Sequence, residues 1–241
     1  GDALIHQIFK AIDKEVKKKA REAHAAEVAR TMPAVTKRSR VFQSSAADAC
    51  GLGGLDACSV DCIITDPPYP KEFLNTFDDL GVLAERVLKP GGSCIVMVGQ
   101  SYLPQIIESL GRHLTYQWCC AYLTPGGQAT QLWDRKVNTF WKPLLWFVKG
   151  AYAGGWIGDV AKSEVNNNDK RFHKWGQSES GMADIIGRFS QPGQTILDPF
   201  LGGGTTGVVA VQLNRYFIGC DIDQTQVDIA ASRLGELGSD D

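Results

Sequence analysis

Histidine is scarce in this chain: four occur among 241 residues. None of the seven cysteines forms a C-x-x-C pair, and no His/Cys spacing suits a metal, so no metal site is expected. No apolar run reaches the about 18 residues that a membrane helix needs. The pattern of a secretory leader is missing, as are internal repeats and low-complexity tracts. The cysteines (50, 58, 62, 94, 119, 120, 220) are scattered, odd in number and mostly set inside apolar runs. They read as buried thiols in a reducing compartment, not as a disulfide framework. The Cys119-Cys120 pair reads as packing across a strand. With 44% hydrophobic and 22% charged residues, what remains is ordinary globular material, enough for one sizeable domain with an arm or insertion.

Neither sign of charge dominates, since the net charge is −2, but the distribution is uneven. Residues 1–40 hold ten Lys/Arg and five Asp/Glu, while the remainder holds 15 and 22. A basic segment on an acidic body suggests contact with a polyanion; a solvated helix face explains it equally well. Leu4, Ile5, Ile8, Phe9, Ile12 and Val16 form a helical stripe, and Pro33 ends the helix. Residues 1–37 are therefore read as a basic helical arm or linker. The chain opens with Gly1, and the candidate roles of this segment are an arm that contacts a polyanion, a homodimer element or a link to an upstream fused domain.

Two stretches carry chemistry. In the first, the apolar run Val60-Asp61-Cys62-Ile63-Ile64-Thr65 stops at Asp66-Pro67-Pro68-Tyr69-Pro70. Proline at a strand end removes the donor that would continue the ladder. A carboxylate, two backbone carbonyls and an aromatic ring then converge at one sheet edge. That set suits a planar heterocycle bearing an exocyclic amine. In the second, strand Thr195-Ile196-Leu197-Asp198 runs into Pro199-Phe200-Leu201-Gly202-Gly203-Gly204-Thr205-Thr206-Gly207, then a helix, then strand Tyr216–Cys220 ending at Asp221. Glycine lets a ligand approach the backbone, a helix N-terminus adds N–H donors, and Asp221 can accept ribose hydroxyls. Gly202-x-Gly204-x-x-Gly207 followed by Asp221 also fits the dinucleotide fingerprint, so a nicotinamide-dependent dehydrogenase is a rival reading. Against it, only 20 residues follow Asp221.

Asp66-Pro67-Pro68-Tyr69 resembles motif IV, and Asp198-Pro-Phe-Leu-Gly-Gly-Gly-Thr-Thr motif I, of the DNA amino-methyltransferases. The first precedes the second by 132 residues, an order similar to the β class of that family. The resemblance covers roughly residues 40–235. It implies an α/β fold: a three-layer, Rossmann-like class I methyltransferase sheet, mostly parallel with an antiparallel edge, in circularly permuted order. Residues 38–241 would form that domain, in a cytoplasmic protein of prokaryotic or phage-like type. The cofactor would be S-adenosylmethionine and the partner double-stranded DNA. Asp66, Pro67, Pro68 and Tyr69 would be catalytic. Asp198, Phe200, Gly202, Gly204, Thr205, Thr206 and Asp221 would hold the cofactor. His173 to Ser178 loosely resembles motif X, which adds Gln177 and Ser178. The Gly-Asp expected after the first strand is replaced by Ser44-Ser45, with Asp48 following.

Adenine N6 is favoured as the target, because related cytosine-N4 enzymes usually carry Ser at the position of Asp66. Cytosine N4 is the alternative, RNA stays open as a substrate, and a catalytically inactive DNA-binding module is a further rival. No Pro-Cys pair is present, consistent with chemistry that needs no covalent cysteine adduct. Strands are expected at 41–43, 60–66, 93–99, 195–200 and 216–220, with an antiparallel pair at 114–123 and 143–149. Helices are expected near 46–55, 76–88, 102–111, 180–190 and 208–213. The long polar connections 124–142 and 150–172 are the candidate target-recognition loops, and Arg135 and Lys136 in the first are candidate DNA contacts.

Overall fold

A computed structural model describes residues 38–52, 54–127, 129–164 and 178–237. The arm 1–37 and Gln177 lie outside them. Ten strands occur in chain order: β1 Ser39–Gln43, β2 Val60–Thr65, β3 Leu88–Met97, β4 Thr115–Leu123, β5 Thr130–Leu132, β6 Val137–Thr139, β7 Trp141–Val148, β8 Val160–Lys162, β9 Thr195–Asp198 and β10 Tyr216–Asp221. The helices are α1 Ala49–Leu52, α2 Thr76–Val87, α3 Leu103–Gly111, α4 Glu179–Phe189, α5 Thr205–Gln212 and α6 Gln224–Glu236.

Eight strands form one sheet in the order β1-β10-β9-β2-β3-β7-β4-β8. The first five run parallel, β7 runs antiparallel to both of its neighbours, and β8 is parallel to β4. The reversed strand therefore sits inside the sheet, and β4 and β8 point the same way as the parallel body. Alternation along each strand sends side chains to two cores. On one face Cys94, Val96, Leu145 and Phe147 meet α2 and α3 through Leu80, Leu83, Ile106 and Leu110. On the other, Ile95, Met97, Leu144 and Trp146 join Met182, Val209, Ala230 and Leu234 of α4, α5 and α6.

The crossover from β9 passes through α5 to β10 on one side, and that from β2 through α2 to β3 on the other. Strand order thus reverses between β9 and β2, and ligands of open α/β sheets bind at the carboxyl ends of strands at such a point. β9 and β2 pair directly, with Cys62 opposite Ile196 and Ile63 opposite Leu197.

The observed elements depart from the expected ones in several places, and α6 is a helix that the expected set lacks. The helix near 46–55 is a single turn, α1. β3 begins at Leu88, because Lys89-Pro90-Gly91-Gly92 joins the strand through a register shift, with Gly91 at φ 80°. The loop 124–142 carries the β5–β6 hairpin, and β8 adds a strand from the segment 150–172, which is described as far as residue 164. Cys62, Cys94, Cys120 and Cys220 are buried, but Cys58 is exposed.

Candidate active site

The carboxyl ends of β2 and β9 bring the two motifs together. The Tyr69 hydroxyl donates to Asp66 Oδ1 at 2.5 Å. Burial, followed by the neighbouring Asp66 charge, pushes the Tyr69 pKa far up, so the phenol remains a donor. Pro67 is buried, while Asp66, Pro68 and Tyr69 are half-buried. The Tyr69 ring lies against Gly99, where an added Cβ would come 3.6 Å from ring carbons. Lys142 Nζ stands 5.7 Å from the ring centroid, close enough for a cation–π contact.

Asp198 has structural partners on both strand ends. It is buried, and its Oδ1 accepts from Thr65 Oγ1 at 2.7 Å and from the Phe200 N–H at 3.1 Å. Burial pushes its pKa up to about 6, against hydrogen bonds from Thr65, Thr206 and the Phe200 N–H. It braces the two strand ends and the start of the turn. Thr206 is likewise turned inward to it, and Thr205 faces Arg233, 3.3 Å from Nη1.

Beyond Asp198 the turn is built on left-handed glycines. Gly202 has φ 48° and Gly204 φ 76°. A Cβ on Gly204 would come 2.7 Å from Ala230 Cβ, so α6 packs directly on the turn. A Cβ on Gly202 would meet nothing within 4 Å, so that position faces open space. Gly207 abuts Phe217, where a Cβ would lie 2.5 Å away. This is the close helix–strand approach that dinucleotide turns share, so the turn alone does not separate the two readings.

Asp221 ends β10 beside this turn. Its Oδ2 accepts from Gly202 N–H at 2.9 Å and its Oδ1 from Asp223 N–H at 3.0 Å. Each carboxylate oxygen can accept more than one hydrogen bond. Asp221 can therefore shape the turn and still receive hydroxyls from a ligand. Phe200 is half-buried against the α2/α3 core. Ser44 N–H donates to the Asp221 carbonyl at 2.9 Å, and Asp48 is engaged by the Ser45 hydroxyl at 2.7 Å.

Ser178 also has a local use. It caps α4, accepting from Gly181 N–H at 3.2 Å, and its hydroxyl lies 3.0 Å from Ser180 Oγ. It is buried beside the Tyr122 hydroxyl, which in turn feels the Asp66 charge. Arg135 donates to the Ser101 carbonyl at 3.2 Å, and Lys136 occupies a left-handed position at the tip of the β5–β6 hairpin.

Sequence reasoning missed two groups here. Arg233, buried on α6, donates to the Gly203 carbonyl and to Glu179 Oε1 at 2.9 Å, clamping the glycine turn to the start of α4. Its one signal is an arginine amid the apolar helix positions Val227, Ala230 and Leu234. Ile222 is 71% exposed directly after Asp221, an apolar side chain left open at the rim of the turn. Among the described residues no group of His, Cys, Asp or Glu could hold a metal, and no helix is long and apolar enough to cross a membrane.

A parallel sheet with one reversed strand beside β3, a glycine turn on β9 and an acid-proline-proline-tyrosine end on β2 defines a class I methyltransferase. The chain belongs to the DNA methylase family, whose model matches residues 60–232, and within it to the N6/N4 class. It is similar to the type II methyltransferases M.HpaI of Haemophilus parainfluenzae (28% identical over 222 residues, 76% of this chain and 70% of that one) and M.BglII of Bacillus subtilis (27% over 230 residues, 71% and 62%). Among solved structures it resembles the M1.HpyAVI-SAM complex (TM-score 0.66, 21% identity, 81% of this chain and 98% of that one). It also resembles the cytosine-N4-specific PvuII DNA methyltransferase (TM-score 0.69, 18%, 84% and 88%). The dehydrogenase reading falls with the family match.

Proposed function

We propose that this protein transfers the methyl group of S-adenosylmethionine to the exocyclic N6 of an adenine turned out of double-stranded DNA. The observation that carries the reading is the direct pairing of β2 with β9, which opens Asp66 and Tyr69 onto the same sheet edge as the glycine turn. The cofactor supplies an electrophilic methyl on a sulfonium sulfur. The turn fits it: Gly202 leaves its Cβ position open, Asp221 offers acceptors for ribose hydroxyls, and Phe200 and Ile222 offer apolar surface to a purine.

The remaining work falls to side chains of this chain. An aromatic amine is a weak nucleophile because its lone pair is conjugated with the ring. Asp66 and the Pro67 carbonyl accept hydrogen bonds from its two N–H groups, which favours the tetrahedral nitrogen required for transfer. The Asp66 carboxylate attracts the nitrogen more strongly as positive charge grows there, so its contribution is largest in the transition state. The Tyr69 hydroxyl holds that carboxylate in one orientation, and the Tyr69 ring offers a face on which the extruded base can stack. Aspartate at position 66 favours adenine over cytosine.

The test is transfer of labelled methyl to unmethylated DNA, followed by hydrolysis to nucleosides. N6-methyl-2'-deoxyadenosine as the labelled product is expected. N4-methyl-2'-deoxycytidine would move the target to cytosine, and an unlabelled product pool would contradict the activity.

A further inference from the structure

We infer that the β5–β6 hairpin enters the DNA duplex, with Trp133 filling the place left by the extruded base. The inference rests on the methyltransferase reading above and adds the device that holds the duplex open.

The hairpin pairs Thr130 with Thr139, Gln131 with Asn138 and Leu132 with Val137. Three pairs do not hold an isolated hairpin in water; this one is tied to the loop after β3. Gln100 Nε2 donates to Thr139 Oγ1 and to the Trp141 carbonyl, each at 2.5 Å, and Arg135 donates to the Ser101 carbonyl. Gln100 and Ser101 directly follow Gly99, the residue against which the Tyr69 ring lies. An unbroken run of contacts thus leads from the ring at the base site to the hairpin tip.

At that tip Trp133 is 79% exposed, an unusual placement for the largest apolar side chain. Asp134, Arg135 and Lys136 follow it, giving the tip a net positive charge. A protein partner would suit a broad apolar patch. Val137, Phe140 and Trp141 are exposed on the same hairpin and just after it, but it is the tip that joins an indole to two cations. That pairing suits a stacked polyanion: the ring replaces one base in a stack spaced about 3.4 Å, and the cations sit near the flanking phosphates. Trp133 touches neither cofactor turn nor Asp66, so it is a positioning residue and its effect should depend on the duplex.

The experiment measures transfer of labelled methyl from S-adenosylmethionine to unmethylated bacteriophage DNA, native and heat-denatured, by wild type, Trp133→Ala and Trp133→Phe. Trp133→Ala should lower the native-to-denatured rate ratio about 10- to 100-fold, the equivalent of losing one stacking partner. Its rate on denatured DNA should stay within about 3-fold of wild type, which also reports an intact fold, and Trp133→Phe should restore most of the ratio. An unchanged ratio, or an equal loss on both DNA forms, overturns the wedge while leaving the methyltransferase reading in place. A wild-type enzyme that labels neither DNA removes that reading, and the wedge with it.

Discussion

Asp221 and Asp198 are carboxylates at the ends of neighbouring strands, with opposite surroundings. Asp221 is half-buried and bound by two backbone N–H groups at the edge of the turn, where a ligand can still reach it. Asp221→Ala should weaken S-adenosylmethionine binding about 10- to 100-fold, the cost of losing hydrogen bonds to a charged group. Calorimetric titration checks this, and an unchanged dissociation constant removes Asp221 from the site. Asp198 is buried, and its pKa is raised to about 6 from 3.8. Between those values the folded chain binds more protons than the unfolded one, so this group's contribution to stability falls as pH rises from about 4 to about 6. Urea unfolding of wild type and Asp198→Asn across that window should show the wild-type advantage shrinking with pH, by at most about 3 kcal/mol. A pH-independent difference would mean that Asp198 titrates in the folded protein at the same pH as in the unfolded chain.

At the scale of elements, the glycine turn separates two requirements that the sequence shows as one motif. Gly204 is fixed by packing, since a methyl there meets Ala230 on α6 at a positive φ. Gly202 is fixed by conformation alone and faces open space. Gly204→Ala should therefore lose about 2–4 kcal/mol of stability from overpacking plus left-handed strain. Gly202→Ala should lose about 1–2 kcal/mol and show its larger effect on cofactor affinity. Chemical denaturation and cofactor titration of both variants test the division; equal stability losses would contradict it. The glycines could be read from sequence because φ > 0 is a local demand. Arg233 could not, because its partners, Gly203 and Glu179, are 30 and 54 residues away along the chain. The same limit hid the fine role of Asp198: its motif marked the strand end, but its brace to Thr65 exists only once β2 and β9 pair.

Over the whole molecule, the alternation of apolar strands and amphipathic helices announced a parallel sheet, and the Asp-Pro-Pro-Tyr stop and the glycine turn located its working edge. The reversal of β7 and its contact with β4 were also legible, as an antiparallel pair. Less legible were the short elements whose stability comes from partners. β8 is three residues laid on β4, and β5 and β6 are three-residue strands held by Gln100. Their sequences carry too few residues for a period to register. Ser178 shows the same effect at one position, since the buried cap it provides depends on how α4 docks beside Tyr122.

The central claim is that β2 and β9 join to set Asp66 beside the reacting amine. Single-turnover transfer of labelled methyl to duplex DNA, with Asp66→Ala against wild type, tests it most directly. An interaction stronger in the transition state than in the ground state lowers the rate of transfer when removed. The account predicts a loss of about 100-fold or more in that rate, with S-adenosylmethionine bound within about 3-fold of wild type. An Asp66→Ala enzyme that transfers methyl at a near wild-type rate would contradict it.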